Sequence, residues 1–266
     1  METVCNKSVR KELIMNTTGL RRRTASTAAG LLLLGGLLMV GSPAATAAPT
    51  LQSPTCSTPT AHDVKRAFTE ANNATRGSTI TKTMTANPKT CRVVLTRGLS
   101  LQGQLTLTVA GGGRVILDLG RRDGTAIVTS QGGALSLTNF DITGGDGSAT
   151  PGGIYNDKGT VTLNNVVISG NHGANGGGIE VSEGSLTLKN STVTGNTAHR
   201  GGGIVADSGA TVTVTNSKIT DNTAHEGAGG IESDERSKVT VKSSTITGNK
   251  PTNCRNVPGC GETDRR

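Results

Sequence analysis

The tripeptide Gly-Gly-Ile occurs four times, at Gly152-Gly153-Ile154, Gly177-Gly178-Ile179, Gly202-Gly203-Ile204 and Gly229-Gly230-Ile231, at intervals of 25, 25 and 27 residues. Units of this length are too small to bury a core singly, so neighbouring copies have to stack and share one. The period therefore constrains the architecture before it says anything about chemistry.

Each repeat contains an apolar-hydroxyl-apolar segment: Leu135-Ser136-Leu137, Val161-Thr162-Leu163, Leu186-Thr187-Leu188, Val212-Thr213-Val214 and Val239-Thr240-Val241. Alternation with period two buries one face of a strand and leaves a Ser/Thr column outside. A second segment is centred on Ile142, Ile168, Val193, Ile219 and Ile246, with Phe140, Val166, Ser191, Ser217 and Ser244 also inward. Its outward positions are Asp141, Val167, Thr192, Lys218 and Thr245. The third strand starts at the repeated tripeptide, with Ile154, Ile179, Ile204 and Ile231 inward and Tyr155, Glu180, Val205 and Glu232 outward.

Three such short strands, repeated in the same phase, do not make a series of hairpins. Winding the chain once per repeat places equivalent strands in parallel, with like side chains about 4.8 Å apart. The expected fold is all-β: a single-stranded right-handed parallel β-helix with three short strands per coil of about 25 residues, about six coils between Leu105 and Asn249, and a short N-terminal capping helix. Apolar residues make up only 33% of the chain. Continuous stacking makes that suffice, because each buried Val, Leu or Ile contributes roughly 1.5–3 kcal/mol.

Two asparagine sets mark the corners. Asn139, Asn165, Asn190 and Asn216 follow the first strand, with Ser243 in the fifth coil, and Asn171, Asn196, Asn222 and Asn249 follow the second. Asparagine tolerates a left-handed corner, and stacked amides bond one another, so both sets are expected to form structural ladders. A row of exposed amides for glycan contact is the alternative for the second set. The glycines before each Ile are expected to supply positive φ and close backbone approach. No Lys-Ser/Thr follows them, which excludes a phosphate loop.

Four regions are expected: an export signal over 1–48, an N-terminal cap over 49–100, the β-helix over 101–250, and a C-terminal cap with a mobile tail over 251–266. Arg21-Arg22-Arg23 precede an apolar stretch from Ala28 to Val40 that is too short for a stable membrane span, and Ala45-Thr46-Ala47 offers a cleavage site; Met15 is an alternative start. A secreted, extracellular protein follows from this, free or associated with the cell wall, with no membrane span after cleavage. Loss of six basic and two acidic residues with the signal lowers the net charge from +8 to +4. The remaining cations are scattered with almost no aromatic partners, which excludes a nucleic-acid platform. Within the cap, Thr60 and Asp63 form a capping pair ahead of a helix whose apolar side is Val64, Ala67, Phe68 and Ala71. Four cysteines outlast the signal and allow three connectivities. Cys56–Cys91 and Cys254–Cys260 are the pairings expected, each bracketing one end of the array.

The pattern Gly-Gly-Gly-Ile, Ser-Leu-Thr-Leu-Lys-Asn-Ser, Thr-Val-Thr-Gly-Asn-Thr-Ala, running from Gly176 to Ala198, resembles the repeats of secreted bacterial right-handed β-helix proteins of the broad pectate-lyase-like group. It is also similar to repeats of polymorphic autotransporter-type outer-membrane proteins and adhesin-like surface proteins. The resemblance covers about residues 101–250. The group includes polysaccharide lyases, glycosidases and adhesins, and its enzymes are expected to carry catalytic residues on one outward face. Asp141, Asp146 and His172 are the candidates here, with Asp141 on a strand and the other two in turns. The Asn-Thr-Asp, Asp-Asp and Gly-His-Gly signatures implied by polygalacturonase-like membership are absent, as is the acidic calcium cluster implied by lyase-like membership.

His199 and His225 occupy equivalent turn positions and form a candidate metal pair, with no third ligand evident and Glu226 beside only one of them. Tyr155 is the one outward aromatic and a candidate ligand contact, and the absence of Trp argues against a sugar-cleaving groove. No cofactor is expected. The preferred reading is a non-enzymatic exported β-helix presenting a repetitive surface to cell-wall or extracellular polysaccharide or to a surface protein. A polysaccharide-degrading lyase or glycoside hydrolase with an open groove is the alternative.

Overall fold

The structure, a computed structural model, describes residues 57–260. The expected signal, Met15 and Cys56 lie outside the described residues, as does the tail after Cys260. The chain winds as a right-handed parallel β-helix of three sheets. The first sheet stacks Thr79–Thr85, Gln104–Ala110, Ala134–Thr138, Thr160–Asn164, Ser185–Lys189, Thr211–Thr215 and Lys238–Lys242. Its register runs without a bulge, so Val161, Leu186, Val212 and Val239 form one buried column. Seven strands at the usual spacing make a face about 29 Å tall.

The third sheet stacks Leu99–Leu101, Ile127–Ser130, Ile154–Asp157, Ile179–Ser182, Ile204–Asp207, Ile231–Ser233 and Cys254–Arg255, with the four repeated isoleucines in register. Parallel winding begins ahead of Leu101, because Thr79–Thr85 already pairs with Gln104–Ala110 and Thr90–Val94 with Arg114–Asp123. This first coil carries no Gly-Gly-Ile, which is why the repeat does not mark it.

The second sheet forks. Phe140–Gly147 is one long strand whose first half pairs with Val167–Ser169 and whose second half pairs with His172–Asn175. In later coils a Gly-Asn corner at Gly170-Asn171, and again at Gly195-Asn196, breaks that strand into two limbs. The outer limbs are His172–Asn175, Thr197–Arg200 and Thr223–Glu226. His172, His199, His225 and Asp146 therefore sit in strands, not in turns. The corner turns the chain before them, and their backbone remains free to pair with the next coil.

The glycine runs ahead of Ile divide the two expected tasks between their members. Positive φ falls on Gly176 (58°) and Gly201 (64°), one residue ahead of the pair, and not on the two glycines that precede Ile. Those two are required by space, since a Cβ on Gly203 would lie 2.5 Å from the Gly230 carbonyl oxygen.

The asparagine sets also part company. Asn171, Asn196, Asn222 and Asn249 are buried and form an amide ladder: each Nδ2 donates to the next Oδ1, at 3.0, 2.9 and 3.0 Å, and the last donates to Asn253 at 2.9 Å. Burial removes them as a glycan-binding row. Asn139, Asn165, Asn190 and Asn216 instead serve as left-handed corners, with φ between 50° and 66°. Their amides do not stack continuously, because Asn165 donates to Asn139 while Asn190 donates to Asn164.

The core runs the length of the coil and is lined mainly by apolar side chains, and among the described buried polar ones two atoms lack a partner. Thr129 and Asn156, register partners in the third sheet, are fully buried. Asn156 donates through Nδ2 to the Gly159 and Ser185 carbonyls, but Thr129 Oγ1 and Asn156 Oδ1 have no hydrogen-bond partner. Thr129→Val therefore removes only an unpaired hydroxyl. It is expected to leave the urea midpoint unchanged or to raise stability by about 1 kcal/mol, whereas Asn156→Val should lower it by taking a donor from the Gly159 and Ser185 carbonyls.

The helix Ala61–Asn73 covers the N-terminal end, with Val64, Ala67, Phe68 and Ala71 buried and the Thr60–Asp63 capping box formed. Asn72 fastens it to the first coils, accepting from Gln102 N at 2.8 Å and donating to Ser100 O at 3.0 Å. At the far end Cys254 is disulfide-bonded to Cys260. Cys91 is also disulfide-bonded, while the Cys56 half of the expected Cys56–Cys91 pair lies outside the described residues.

Candidate functional site

Three outer faces present different chemistry. On the second sheet, past the fork, register aligns Asp123, Asp146, His172, Thr197 and Thr223 in one column. His172 Nδ1 lies 2.9 Å from Thr197 Oγ1. Arg121 sits beside them on a left-handed backbone with φ 54°, inside the register shift between Asp118 and Arg122. Arg121, Asp146, His172 and Thr197 line an open cleft of about 350 Å³.

Of the three catalytic candidates the structure thus brings together Asp146 and His172. Asp141 lies on the other side of the Gly144-Gly145 corner and is ion-paired with Arg114. Burial pushes the Asp141 carboxyl above its ordinary range, against the opposing Arg114 charge.

The third sheet's outer face departs most from the sequence reading. Val205 and Glu232, expected outward, do face away from the core, but they are 0% and 2% exposed. The outer limb folds over them. Arg200, at the end of that limb, donates to Glu232 Oε1 at 2.9 Å and to Asp207 Oδ2 at 3.1 Å. The other Glu232 oxygen accepts from Ala228 N at 3.0 Å, and Arg255 approaches at 3.7 Å.

Glu180 lies in the same column, separated from Glu232 by Val205, and Arg200 spends its side-chain hydrogen bonds on Glu232 and Asp207. The Glu180 carboxyl is pushed up to about 7, first by burial and then by the Asp207 charge, with Arg200 opposing. Tyr155, its register partner, is half-buried, and burial together with Asp157, Glu180 and Glu183 raises its hydroxyl pKa. The sequence signal for this cluster was available but ambiguous: an Arg directly ahead of a Gly-Gly-Gly-Ile block, and Glu at strand positions read as solvated.

A pH prediction follows. The folded pKa of Glu180 lies above its ordinary value of 4.5, so the folded state holds this proton more tightly than the unfolded chain. That contribution is complete below the unfolded pKa and is lost as pH rises through about 7. Between about pH 5 and about pH 8 the protein should lose roughly 1–3 kcal/mol that Glu180→Gln retains. Urea unfolding of both proteins at the two pH values measures this; parallel pH profiles would contradict it.

His199 and His225 are neighbours with ring centroids 6.2 Å apart, and Glu226 lies 3.8 Å from His199. Both the His199 and Glu226 side chains are well exposed. Among the described residues no group of three His, Cys, Asp or Glu is arranged to hold a metal ion.

The first sheet's outer face is the most uniform. Its outward positions are Thr or Ser in most rows, broken by Gln104, Ala110, Ala134, Asn164, Lys189, Lys238 and Lys242, and none of them is acidic. One column, Thr81, Thr106, Ser136, Thr162, Thr187, Thr213 and Thr240, carries a hydroxyl in every strand. Acidic residues lie instead on the other two faces, among them Asp123, Asp141 and Asp146 on the second and Asp157, Glu180, Asp207 and Glu232 on the third.

No helix among the described residues is long and apolar enough to cross a membrane. No curated protein and no solved structure matches the chain. The family model of the right-handed β-helix region matches residues 125–261, which are the coils built on the Gly-Gly-Ile period and the clip that ends them. By its winding and by this match, the chain belongs to the right-handed β-helix family.

Proposed function

We propose that this chain is an exported, non-enzymatic β-helix that lays its first-sheet face against an anionic polysaccharide of the cell wall or extracellular matrix. The observation that carries the reading is the absence of acidic residues from that face: seven strands present mostly hydroxyls, with lysines at Lys189, Lys238 and Lys242, while the carboxylates lie on the other two faces. Hydroxyls at regular spacing exchange their bonds to water for bonds to sugar hydroxyls at little net cost. Lys189, Lys238 and Lys242 add attraction for a polyanion.

A second reading is polysaccharide cleavage at the open cleft, and what favours it is the stacking of Asp146 on His172 beside Arg121. The separating experiment incubates the purified protein with anionic and neutral polysaccharides and records both retention and release of new chain ends. Retention on the anionic polymers without new ends supports the surface reading. New ends that disappear in Asp146→Asn establish the enzymatic one, and failure to be retained on any anionic polymer overturns the first.

A further inference from the structure

The two ends of the coil are treated differently. At the N-terminal end the helix Ala61–Asn73 packs on the first coils. At the other end Lys238–Lys242 is the last strand of the first sheet, and no described strand pairs with its far side. Lys238 N donates to the Ala210 carbonyl at 2.8 Å and Lys242 O accepts from Asn216 N at 3.1 Å, both toward the preceding coil. In a strand, successive residues aim their backbone groups to opposite sides, so the N–H and C=O groups of Val239 and Val241 face the open end.

That end is a slot rather than a flat edge. Asn256 and Pro258 of the disulfide-closed clip stand across from Ser237, Lys238, Val239, Thr240 and Val241 and line with them an open groove of about 630 Å³, whose Lys238 end also carries Glu235 and Asp234, the latter accepting from Ser208 N and Ser237 N. Strands left open in this way are templates for pairing, and lysines commonly guard them.

We propose that this groove takes an extended peptide segment of a partner as one further parallel rung, with apolar residues over the core and an acidic residue at each end. The pattern is dictated by the rung already there. Val239 and Val241 face the core and need apolar residues stacked on them, while Lys238 and Lys242 point outward and pair with carboxylates in register. A second copy of this chain does not fit the slot. Its N-terminal end is covered by the helix, and antiparallel pairing of two Lys238–Lys242 strands about Thr240 sets Lys238 against Lys242. The assignment shares Lys238 and Lys242 with the polysaccharide reading but does not rest on it, because it concerns the backbone edge of the sheet and is read out by peptide binding alone.

The test uses the intact protein and two synthetic peptides, Glu-Val-Thr-Val-Glu and Lys-Val-Thr-Val-Lys, blocked at both ends and followed by fluorescence polarisation. The acid-flanked peptide should bind at least about tenfold more tightly than the lysine-flanked one, and the double variant Lys238→Glu/Lys242→Glu should reverse that preference. Val241→Pro, which removes a donor facing the slot and leaves the ladder to Thr211–Thr215 intact, should weaken binding about tenfold or more. Should that variant fail to fold, the charge reversal still decides. No binding of the acid-flanked peptide, or binding indifferent to both changes, overturns the proposal. So does peptide binding seen only after removal of residues 261–266, which would make the chain's own tail the occupant, or a dimer that excludes the peptide.

Discussion

Gly178→Ala is expected to cost about 3 kcal/mol or more, or to prevent folding, although alanine is compatible with the backbone conformation at that position. Gly178 is not among the residues with positive φ. A Cβ there would lie 2.7 Å from the Gly203 carbonyl oxygen, 2.9 Å from Val193 Cγ1 and 3.2 Å from Asn196 Nδ2. The first of these belongs to the backbone of the next coil, which cannot withdraw without breaking the ladder. Gly195→Ala provides the contrast. Its φ of 62° is unfavourable to alanine but a Cβ there meets nothing within 4 Å, so the cost should be about 1–2 kcal/mol. Chemical denaturation of the two variants ranks them. If Gly195→Ala proved the more damaging, close stacking of the coils would not be the reason for the Gly-Gly pair.

Asn196→Leu should be comparably severe although leucine has the same branching and the same number of side-chain heavy atoms. Asn196 Oδ1 accepts from Asn171 N at 3.1 Å and from Asn171 Nδ2 at 3.0 Å. Its own Nδ2 donates to Asn222 Oδ1 at 2.9 Å and to Ile168 O at 3.0 Å. Leucine leaves Asn171 N buried without its acceptor and takes one bond each from Ile168 O, Asn171 Nδ2 and Asn222 Oδ1, although Asn171 Nδ2 keeps Ile142 O and Ser169 O and Asn222 Oδ1 keeps Asn196 N, so at about 1–3 kcal/mol for each group left unpaired the total is roughly 2–5 kcal/mol. Asn190→Gly, at an exposed corner with φ 50°, should cost less than about 1 kcal/mol because glycine accepts that conformation freely. Equal losses in denaturant unfolding would mean that the two asparagine sets do the same work after all.

The coil was legible in the sequence because its determinants are local and repeated. Alternation identified Leu186, Leu188 and Val193 as core residues, and the 25-residue period identified which strands stack. What was not legible depends on how neighbouring coils lean on one another. Whether an asparagine turns inward or outward at a corner is decided by the space under the next coil, so two sets with the same composition took different roles. Val205 and Glu232 alternate correctly and are still buried, because cover comes from Arg200 and the outer limb, an element the period-two pattern does not announce.

The candidate site was less accessible still. Asp141 and Asp146 are close in sequence, yet the Gly144-Gly145 corner sends one to an ion pair with Arg114 and the other to the His172 column. The raised carboxyl of Glu180 arises from burial and from Asp207 in the next coil, so no local motif encodes it. The open edge at Lys238–Lys242 follows from where the stacking stops.

A first-sheet face that meets the polysaccharide must respond to added negative charge more strongly than the second sheet does. Thr162 and Thr187 are stacked neighbours on that face, while Thr192 is outward on the second sheet. Retention on an insoluble anionic polysaccharide should fall about tenfold or more for Thr162→Glu/Thr187→Glu and stay near the wild-type value for Thr192→Glu/Thr194→Glu, at two outward positions of the second sheet. Equal loss for both, or no loss for the first-sheet pair, would contradict the account.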